Sequence, residues 1–216
     1  KEPMPPHNLV MTYIGTGLLW FGWFGFNAGS NLEANALTAV ALINTVLAPA
    51  AGALAWALGE RITRGHASAL GAVSGAVAGL VAITPAAGFS GVGGAIVLGG
   101  VAGVICLWAV VNLKPMLKYD DSLDVFGIHG VGGIVGALGT AIVANPSFGG
   151  YPLDGYDMGG QFMVQLTSVI VAVLWSGVVA LIAMLIVKAL FGGAKVSEQA
   201  ESDGLDLSTH GERAYN

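Results

Sequence analysis

The charged residues of this chain stand in short clusters that leave long uncharged windows between them. The windows cover residues 3–32 (apart from His7), 34–59, 65–113, 125–153 and 158–187. The hydrocarbon core of a bilayer is about 30 Å thick, and about 20 apolar residues cross it as a helix. Each window is long enough for at least one such helix, so the pattern predicts an all-α membrane protein.

The third window is too long for one helix, and it is interrupted by the turn-forming stretch Thr84-Pro85-Ala86-Ala87-Gly88. It therefore predicts two helices. The predicted membrane region, residues 9–192, contains six helices at about 9–30, 34–58, 67–84, 88–112, 123–144 and 158–191. Only 10% of the residues are charged, against about 25% in a soluble domain. The prediction is a polytopic helical membrane protein.

The basic residues predict how the chain is oriented, because Lys and Arg are enriched in cytoplasmic segments. With residues 1–8 as a cytoplasmic loop, all 8 basic residues lie in or beside cytoplasmic segments: Lys1, Arg61, Arg64, Lys114, Lys118, Lys188, Lys195 and Arg213. The opposite loops carry only Glu33, Asp154 and Asp157. We therefore expect residues 193–216 to form a cytoplasmic tail, and the net charge of −5 gives no indication of nucleic-acid binding.

The sequence contains no recognisable enzyme motif, and its single cysteine, Cys106, lies in an apolar run without the spacing of a metal site. We expect no enzymatic activity, no cofactor and no metal. The opening residues Lys1-Glu2-Pro3 have neither an initiator methionine nor a signal peptide. We expect the chain to be the C-terminal part of a longer polypeptide, or one piece of it.

His129 lies in the apolar stretch DVFGIHGVGGIVG. An ionisable residue inside a transmembrane helix is a functional-site hypothesis, and imidazole exchanges a proton near neutral pH. The alternative is a structural histidine bonded to a neighbouring carbonyl. Of the acids before this helix, Asp120 and Asp121 suit a helix cap, whereas Asp124 is the candidate for a buried structural carboxylate.

The first predicted helix carries five aromatic residues within positions 20–26. Trp23, Phe26 and Ser30 recur at i, i+3 and i+7, which places them on one stripe of a helix. Such a stripe offers aromatic faces and a hydroxyl to a small cation, whereas the alternative is an interfacial aromatic belt. Trp20 and Phe24 are predicted to face lipid or a neighbouring subunit.

Three motifs, WFGWFGFNAGS, DVFGIHGVGGIVG and GLDLSTHGERAY, resemble the bacterial ammonium transporter branch of the Amt/Rh family. The resemblance covers essentially the whole chain. It implies the sixth to eleventh helices and the cytoplasmic tail of an eleven-helix inverted-repeat bundle. It further implies a homotrimer in the bacterial inner membrane, with one pore in each subunit.

The resemblance also implies roles for single residues. His129 matches the second of two pore histidines, Phe26 one of two stacked phenylalanines at the outer gate, and Trp23 a pore-lining tryptophan. Ser30 matches the serine of the outer recruitment site, and Asp124 an acid that mirrors a supporting aspartate in the first half. The tail resembles the segment on which a PII-type nitrogen-signalling protein docks.

The expected function is therefore conduction of ammonia through a histidine-lined pore, after ammonium has been recruited at the outer mouth and has given up its proton beyond the gate. Three alternatives stay open. One is a membrane nitrogen sensor that acts mainly by docking a PII-type regulator, and another is a conduit for a different small gas. The third is a structural anchor, which predicts that His129 tolerates leucine.

Overall fold

The computed structural model describes residues 5–212, and within that range every regular element is a helix. Six helices are long and apolar enough to cross a membrane: Leu9–Asn31, Ala36–Arg64, Ala69–Ala86, Val92–Leu117, Phe126–Val143 and Met158–Phe191. The prediction of an all-α polytopic membrane protein with six spans is confirmed. Lys1, Arg213 and the end of the third motif lie outside the described residues.

The α-helices are α1 (Leu9–Asn27), α2 (Ala36–Arg64), α3 (Ala69–Ile83), α4 (Val92–Trp108), α5 (Lys114–Leu117), α6 (Val131–Val143), α7 (Met158–Phe191) and α8 (Glu198–Asp203). One π-helical segment, Ala109–Leu113, joins α4 to α5. A second, Phe126–Gly130, leads into α6. Short 3₁₀ turns lie at Gly29–Asn31, Thr84–Ala86 and Pro146–Phe148. The turn at Thr84–Ala86 divides the third window as predicted.

The chain divides into two compact units, residues 1–169 and 170–216. The first unit contains α1 to α6 and the beginning of α7, and the second contains the rest of α7, α8 and a π-helical segment, Asp206–His210. The 34 residues of α7 span about 51 Å at 1.5 Å per residue. That length exceeds a hydrocarbon core of about 30 Å, so α7 must tilt in a bilayer or extend beyond it.

The core of the first unit lies where α2, α3 and α4 pack backbone to backbone. A Cβ added to Gly52 or Gly79 would collide with the backbone of the facing helix, and one added to Gly99 would collide with the backbone of Ala48. Small residues are what allow transmembrane helices to approach so closely. The 34 glycines of the sequence are therefore used in part for helix packing.

Buried polar side chains tie α2 to its neighbours at both ends. At one end, the Asn44 amide donates to the carbonyl oxygens of Ala87 (2.9 Å) and Ser90 (2.7 Å). At the other, the Glu60 carboxylate accepts from the Ser68 backbone N–H (2.7 Å) and hydroxyl (3.1 Å). We call the end of the first unit near Asn44 the acidic end, because Glu33 and Asp154 lie there. The end near Glu60 is called the basic end, because Arg61 and Arg64 lie in the last turn of α2.

The predicted end of the second helix at residue 58 is corrected, because α2 continues to Arg64. The sequence argument assumed that the first charge ends the span. Glu60 is nevertheless only 4% exposed, since Ser68 satisfies its carboxylate and Arg64 lies 3.6 Å away. The fourth helix likewise begins at Val92 rather than near residue 88, because the turn after Thr84 is longer than predicted.

We predict that Gly99→Ala destabilises the protein by about 1–3 kcal/mol, because its new methyl group must displace the backbone at Ala48. Gly100→Ala is the matched control, since nothing lies within 4 Å of its added Cβ. Denaturant unfolding of the purified protein in detergent measures both. Equal stability of the two variants would contradict the packing described here.

Candidate functional site

A cavity of about 610 Å³ lies at the basic end of the first unit, with His129 and Asp124 on its wall. Its other faces come from α1, α3 and the segment that precedes α1. The remaining lining residues are Pro5, Pro6, His7, Thr12, Thr16, Leu19, Leu70, Val73, Ser74, Val77, Ser122, Leu123 and Ile128. The wall thus combines hydroxyl groups and aliphatic side chains with two imidazoles, those of His7 and His129.

His129 lies in the π-helical segment Phe126–Gly130, and its side chain is exposed to the cavity. Single π-turns inside α-helices are frequent at functional sites. The backbone around His129 is packed on the side away from the cavity. Gly127 lies against Val110 of the other π-helical segment, where a Cβ would come within 2.7 Å of Cγ2, and Ile128 is buried. The ring therefore projects from a fixed backbone into open space.

Two aspartates fix the start of this helix in different ways. The Asp121 carboxylate accepts from the backbone N–H groups of Val125 and Phe126, both at 2.9 Å, and so caps the helix. Asp124 is half-buried and pairs with Lys114 at 2.7 Å. Its φ of +56° is in the left-handed region, which Asp adopts more readily than most residues.

Lys114 is the residue that sequence reasoning missed in this loop. Its ammonium donates to the Asp124 carboxylate and also to the Asp121 carbonyl oxygen. It therefore ties the end of the fourth span to the start of the fifth. The positive-inside pattern counted Lys114 only as an orientation signal, and its spacing along the chain did not reveal these contacts.

Tyr119 packs edge-to-face on Phe126, with ring centroids 5.5 Å apart, beside this ion pair. Burial raises the pKa of its hydroxyl, and the charge of Asp121 raises the pKa further, whereas Lys114 lowers it. The phenol thus stays protonated next to two carboxylates. Its ring contact joins the loop to Phe126, the first residue of the π-helical segment.

The structure brings Trp23 and Phe26 together near the acidic end of α1. Their rings meet edge-to-face with centroids 6.0 Å apart. The Trp23 indole donates to the Thr84 hydroxyl at 2.8 Å, and Thr84 in turn donates to the Leu80 carbonyl oxygen at 2.7 Å. Phe26 remains 61% exposed. The aromatic pair therefore has one ring anchored and one ring free to meet a ligand.

Ser30 lies one turn beyond Phe26, and its hydroxyl donates to the Phe26 carbonyl oxygen. Its oxygen keeps lone pairs that can accept from a cation. None of Trp23, Phe26 and Ser30 lines the cavity that holds His129. The last α1 residue on the cavity wall is Leu19, seven residues before Phe26, about 10 Å along the helix axis. The candidate residues thus form two groups, an aromatic group on α1 and a group around His129 in the cavity beside the preceding turns of α1.

The expectation that Trp20 faces lipid or another subunit is corrected. Its indole N–H donates to the Thr45 carbonyl oxygen of α2 at 2.9 Å, and its side chain is half-buried. Helical spacing alone put Trp20 off the Trp23 and Phe26 stripe, and it did not show that α2 covers that face. Phe24 is half-buried and contacts Phe21 edge-to-face, with centroids 6.4 Å apart.

Within residues 5–212, no group of three or more His, Cys, Asp or Glu side chains could hold a metal ion. Cys106 is buried, with its sulfur 3.7 Å from the Ile128 carbonyl oxygen. Among the ionisable groups near the cavity, Asp121 caps a helix, Asp124 belongs to an ion pair, and the His129 imidazole faces the cavity.

Fold and site together define a multi-pass helical membrane protein with an imidazole on a cavity wall. The family model described as the Ammonium Transporter Family matches residues 1–215. The chain belongs to the ammonium transporter family. An ammonium transporter of Aquifex aeolicus is 48% identical over 211 residues, which cover 98% of this chain and 49% of that relative. One from Bacillus subtilis is 44% identical, covering 97% and 52%.

Solved structures agree with this assignment. A protein described as Sensor Amt Protein superposes with a TM-score of 0.86 at 31% identity, covering 94% of this chain and 49% of that one. Mep2 of Candida albicans gives a TM-score of 0.82 at 38% identity, covering 92% and 46%. The chain spans about half the length of the curated relatives it matches.

We predict that Lys114→Met costs about 1–2 kcal/mol of stability, because Asp124 loses its ion pair while it stays half-buried. Lys118→Met is the control, since it removes an exposed charge four residues away. Hydrogen exchange measures the expected local effect as faster exchange of the amides at 125–130. Equal exchange in both variants would show that the ion pair does not hold this loop.

Proposed function

We propose that this chain forms the C-terminal half of an ammonium transport protein and supplies one wall of its pore. The observation that carries the proposal is the cavity that places His129 beside α1, the helix whose other end carries Trp23 and Phe26. One helix thus links an aromatic pair to an imidazole. Family membership and relatives named as transporters, rather than as enzymes, support the same reading.

The aromatic pair suits the first step, in which ammonium leaves water. An isolated ion in a medium of low dielectric constant costs tens of kcal/mol. Contact with a ring face stabilises a cation by about 0.5–2 kcal/mol, and by more when the site excludes water. We assign Phe26 and Trp23 to this role, with the Ser30 hydroxyl oxygen as an acceptor for an N–H of the ion.

The second step follows from the size of the same penalty. Ring faces and one hydroxyl offset only a small part of it, so the proton must leave and ammonia passes as a neutral molecule. A neutral imidazole carries one acceptor and one donor. His129 therefore binds ammonia through a hydrogen bond without placing a permanent charge in the pore, and Asp121 and Asp124 keep its helix in place.

Several parts of this proposal lie beyond this chain. The resemblance implies that the partner histidine, the partner gating phenylalanine and the recruiting tryptophan lie in the half that precedes this chain in the relatives. We propose that the whole protein assembles as a homotrimer in the bacterial inner membrane, with the basic end and the tail in the cytoplasm. The basic residues of the described loops support that orientation.

The second candidate function is nitrogen sensing through the tail, and the likeness to a protein described as Sensor Amt Protein favours it. In this tail, α8 is followed by the π-helical segment Asp206–His210, within the motif that resembles a PII docking segment. A PII-type protein would bind here on the cytoplasmic side. Both functions can belong to one protein, because the tail and the His129 cavity involve different residues.

We predict that His129→Leu abolishes protein-dependent flux, because leucine removes the imidazole from the cavity wall and leaves ammonia without its hydrogen-bond partner there. The full-length parent is reconstituted in liposomes with a pH-sensitive dye, and an ammonium gradient is imposed. His66→Leu is the control, since His66 is exposed in the turn between α2 and α3. Unchanged flux in His129→Leu would make this histidine a packing residue.

The same variant separates the two functions. Binding of a PII-type protein to the tail should survive in His129→Leu, whereas removal of residues 193–216 should abolish binding and leave the pore lining intact. If His129→Leu lost both ammonium flux and binding of the PII-type protein while the trimer persisted, the pore and the tail would be functionally coupled. If wild type bound the regulator but carried no ammonium, sensing would be the function.

We predict that Phe26→Ala raises the ammonium concentration for half-maximal flux about 2- to 30-fold, which corresponds to the loss of one cation–π contact. Phe21→Ala is the matched control, because Phe21 lies on the same helix and is 75% exposed, compared with 61% for Phe26. Flux measured across a range of ammonium concentrations gives the half-saturating concentration of each variant. Equal shifts for the two variants would remove the aromatic pair from the mechanism.

A further inference from the structure

Helix α1 has no buried residue, so apolar packing within this chain does little to fix its position. Side-chain hydrogen bonds join it to its neighbours instead. Tyr13 donates to the Ala69 carbonyl oxygen of α3 at 2.9 Å, and Trp23 donates to Thr84 at 2.8 Å. Two further bonds go to one residue of α2, Thr45.

Thr45 is fully buried and accepts two hydrogen bonds from α1. Its carbonyl oxygen accepts from the Trp20 indole at 2.9 Å, and its hydroxyl oxygen accepts from the Asn27 amide at 3.0 Å. The hydroxyl itself donates to the Ala41 carbonyl oxygen at 2.6 Å. Trp20 and Asn27 are seven residues apart, about two turns, so the two bonds fix both the rotation and the height of α1.

The Thr45 carbonyl is open to Trp20 because of Pro49. Pro49 lies inside α2, four residues after Thr45, and it is fully buried. A proline has no N–H, so the carbonyl four residues earlier loses its helical partner. In a membrane, such a freed group must be satisfied by a neighbouring side chain or by water. The Trp20 indole supplies the donor that Pro49 lacks.

We propose that Trp20 and Thr45 are positioning residues that, through the carbonyl freed by Pro49, hold the Trp23 and Phe26 pair at the height and rotation required for cation binding. This rests on the proposed function of that pair. Trp20 lies one turn before Trp23, and Asn27 follows Phe26 directly, so the two bonds to Thr45 bracket the pair. Neither residue touches the substrate in this role.

The test uses Trp20→Phe, Pro49→Ala and the double variant in the full-length parent. Phenylalanine keeps an aromatic ring and removes the indole N–H, while alanine at position 49 returns a backbone N–H to the Thr45 carbonyl. Trp20→Phe should lower stability, because it leaves a buried carbonyl unpaired. It should also raise the half-saturating ammonium concentration about 3- to 18-fold, from the range of interhelical hydrogen-bond strengths in membranes.

The double variant distinguishes positioning from simple stabilisation. The backbone N–H restored by Pro49→Ala satisfies the carbonyl, so the stability lost in Trp20→Phe should return. The raised half-saturating concentration should remain, because the indole bond between α1 and α2 is still missing. Recovery of both properties would overturn the proposal, and so would an unchanged half-saturating concentration in Trp20→Phe. If Trp20→Phe alone does not fold, comparing Pro49→Ala with the double variant answers the same question.

A second readout separates this proposal from the proposed function. With 5-fluorotryptophan, the ¹⁹F resonance of Trp23 should shift in Trp20→Phe and stay in place in Trp108→Phe, a control on the exposed face of α4. A Trp23 resonance unmoved in Trp20→Phe would overturn the positioning role even where ammonium flux is normal. Absent flux in wild type together with a shifted resonance would overturn the function and keep the positioning.

Discussion

The hydrocarbon core of a bilayer offers no hydrogen-bond partner to a polar group, and the local irregularities of this chain follow from that constraint. At three places where a helix begins, ends or contains a proline, a side chain from another segment completes the pairing. Asn44 pairs with the turn after Thr84, Trp20 with the carbonyl freed by Pro49, and Glu60 with the start of α3. These contacts fix the order and register of α1, α2 and α3.

The same constraint explains why glycine is used so heavily. Without a hydrophobic driving force between helices in lipid, association depends on close packing and on interhelical hydrogen bonds. The backbone contacts at Gly52, Gly79 and Gly99 bring α2, α3 and α4 close enough for short polar side chains to reach across. A bulkier residue there would separate the helices and also lengthen the hydrogen bonds of Asn44 and Glu60.

Sequence reasoning predicted what depends on local composition. Charge-free windows indicated the six spans, and the Pro/Gly turn after Thr84 indicated the division of the longest window. Helical periodicity placed Trp23 and Phe26 on one stripe, and they do form a ring pair. The sequence also indicated a cap before the His129 helix, which Asp121 provides. Each of these follows from residues within a few turns of one another.

What the sequence did not reveal depends on contacts between distant residues. Glu60 extends α2 past the predicted end only because Ser68 satisfies it, and Lys114 joins Asp121 and Asp124 across a loop. Trp20 was predicted to face lipid or a neighbouring subunit, because its hydrogen-bond partner lies 25 residues away along the chain. Yet a signal was present. A proline inside a predicted membrane helix indicates an unpaired carbonyl four residues earlier, and a nearby helix rich in tryptophan is the natural source of a donor. Interpreting Pro49 in this way would have placed Trp20 against Thr45.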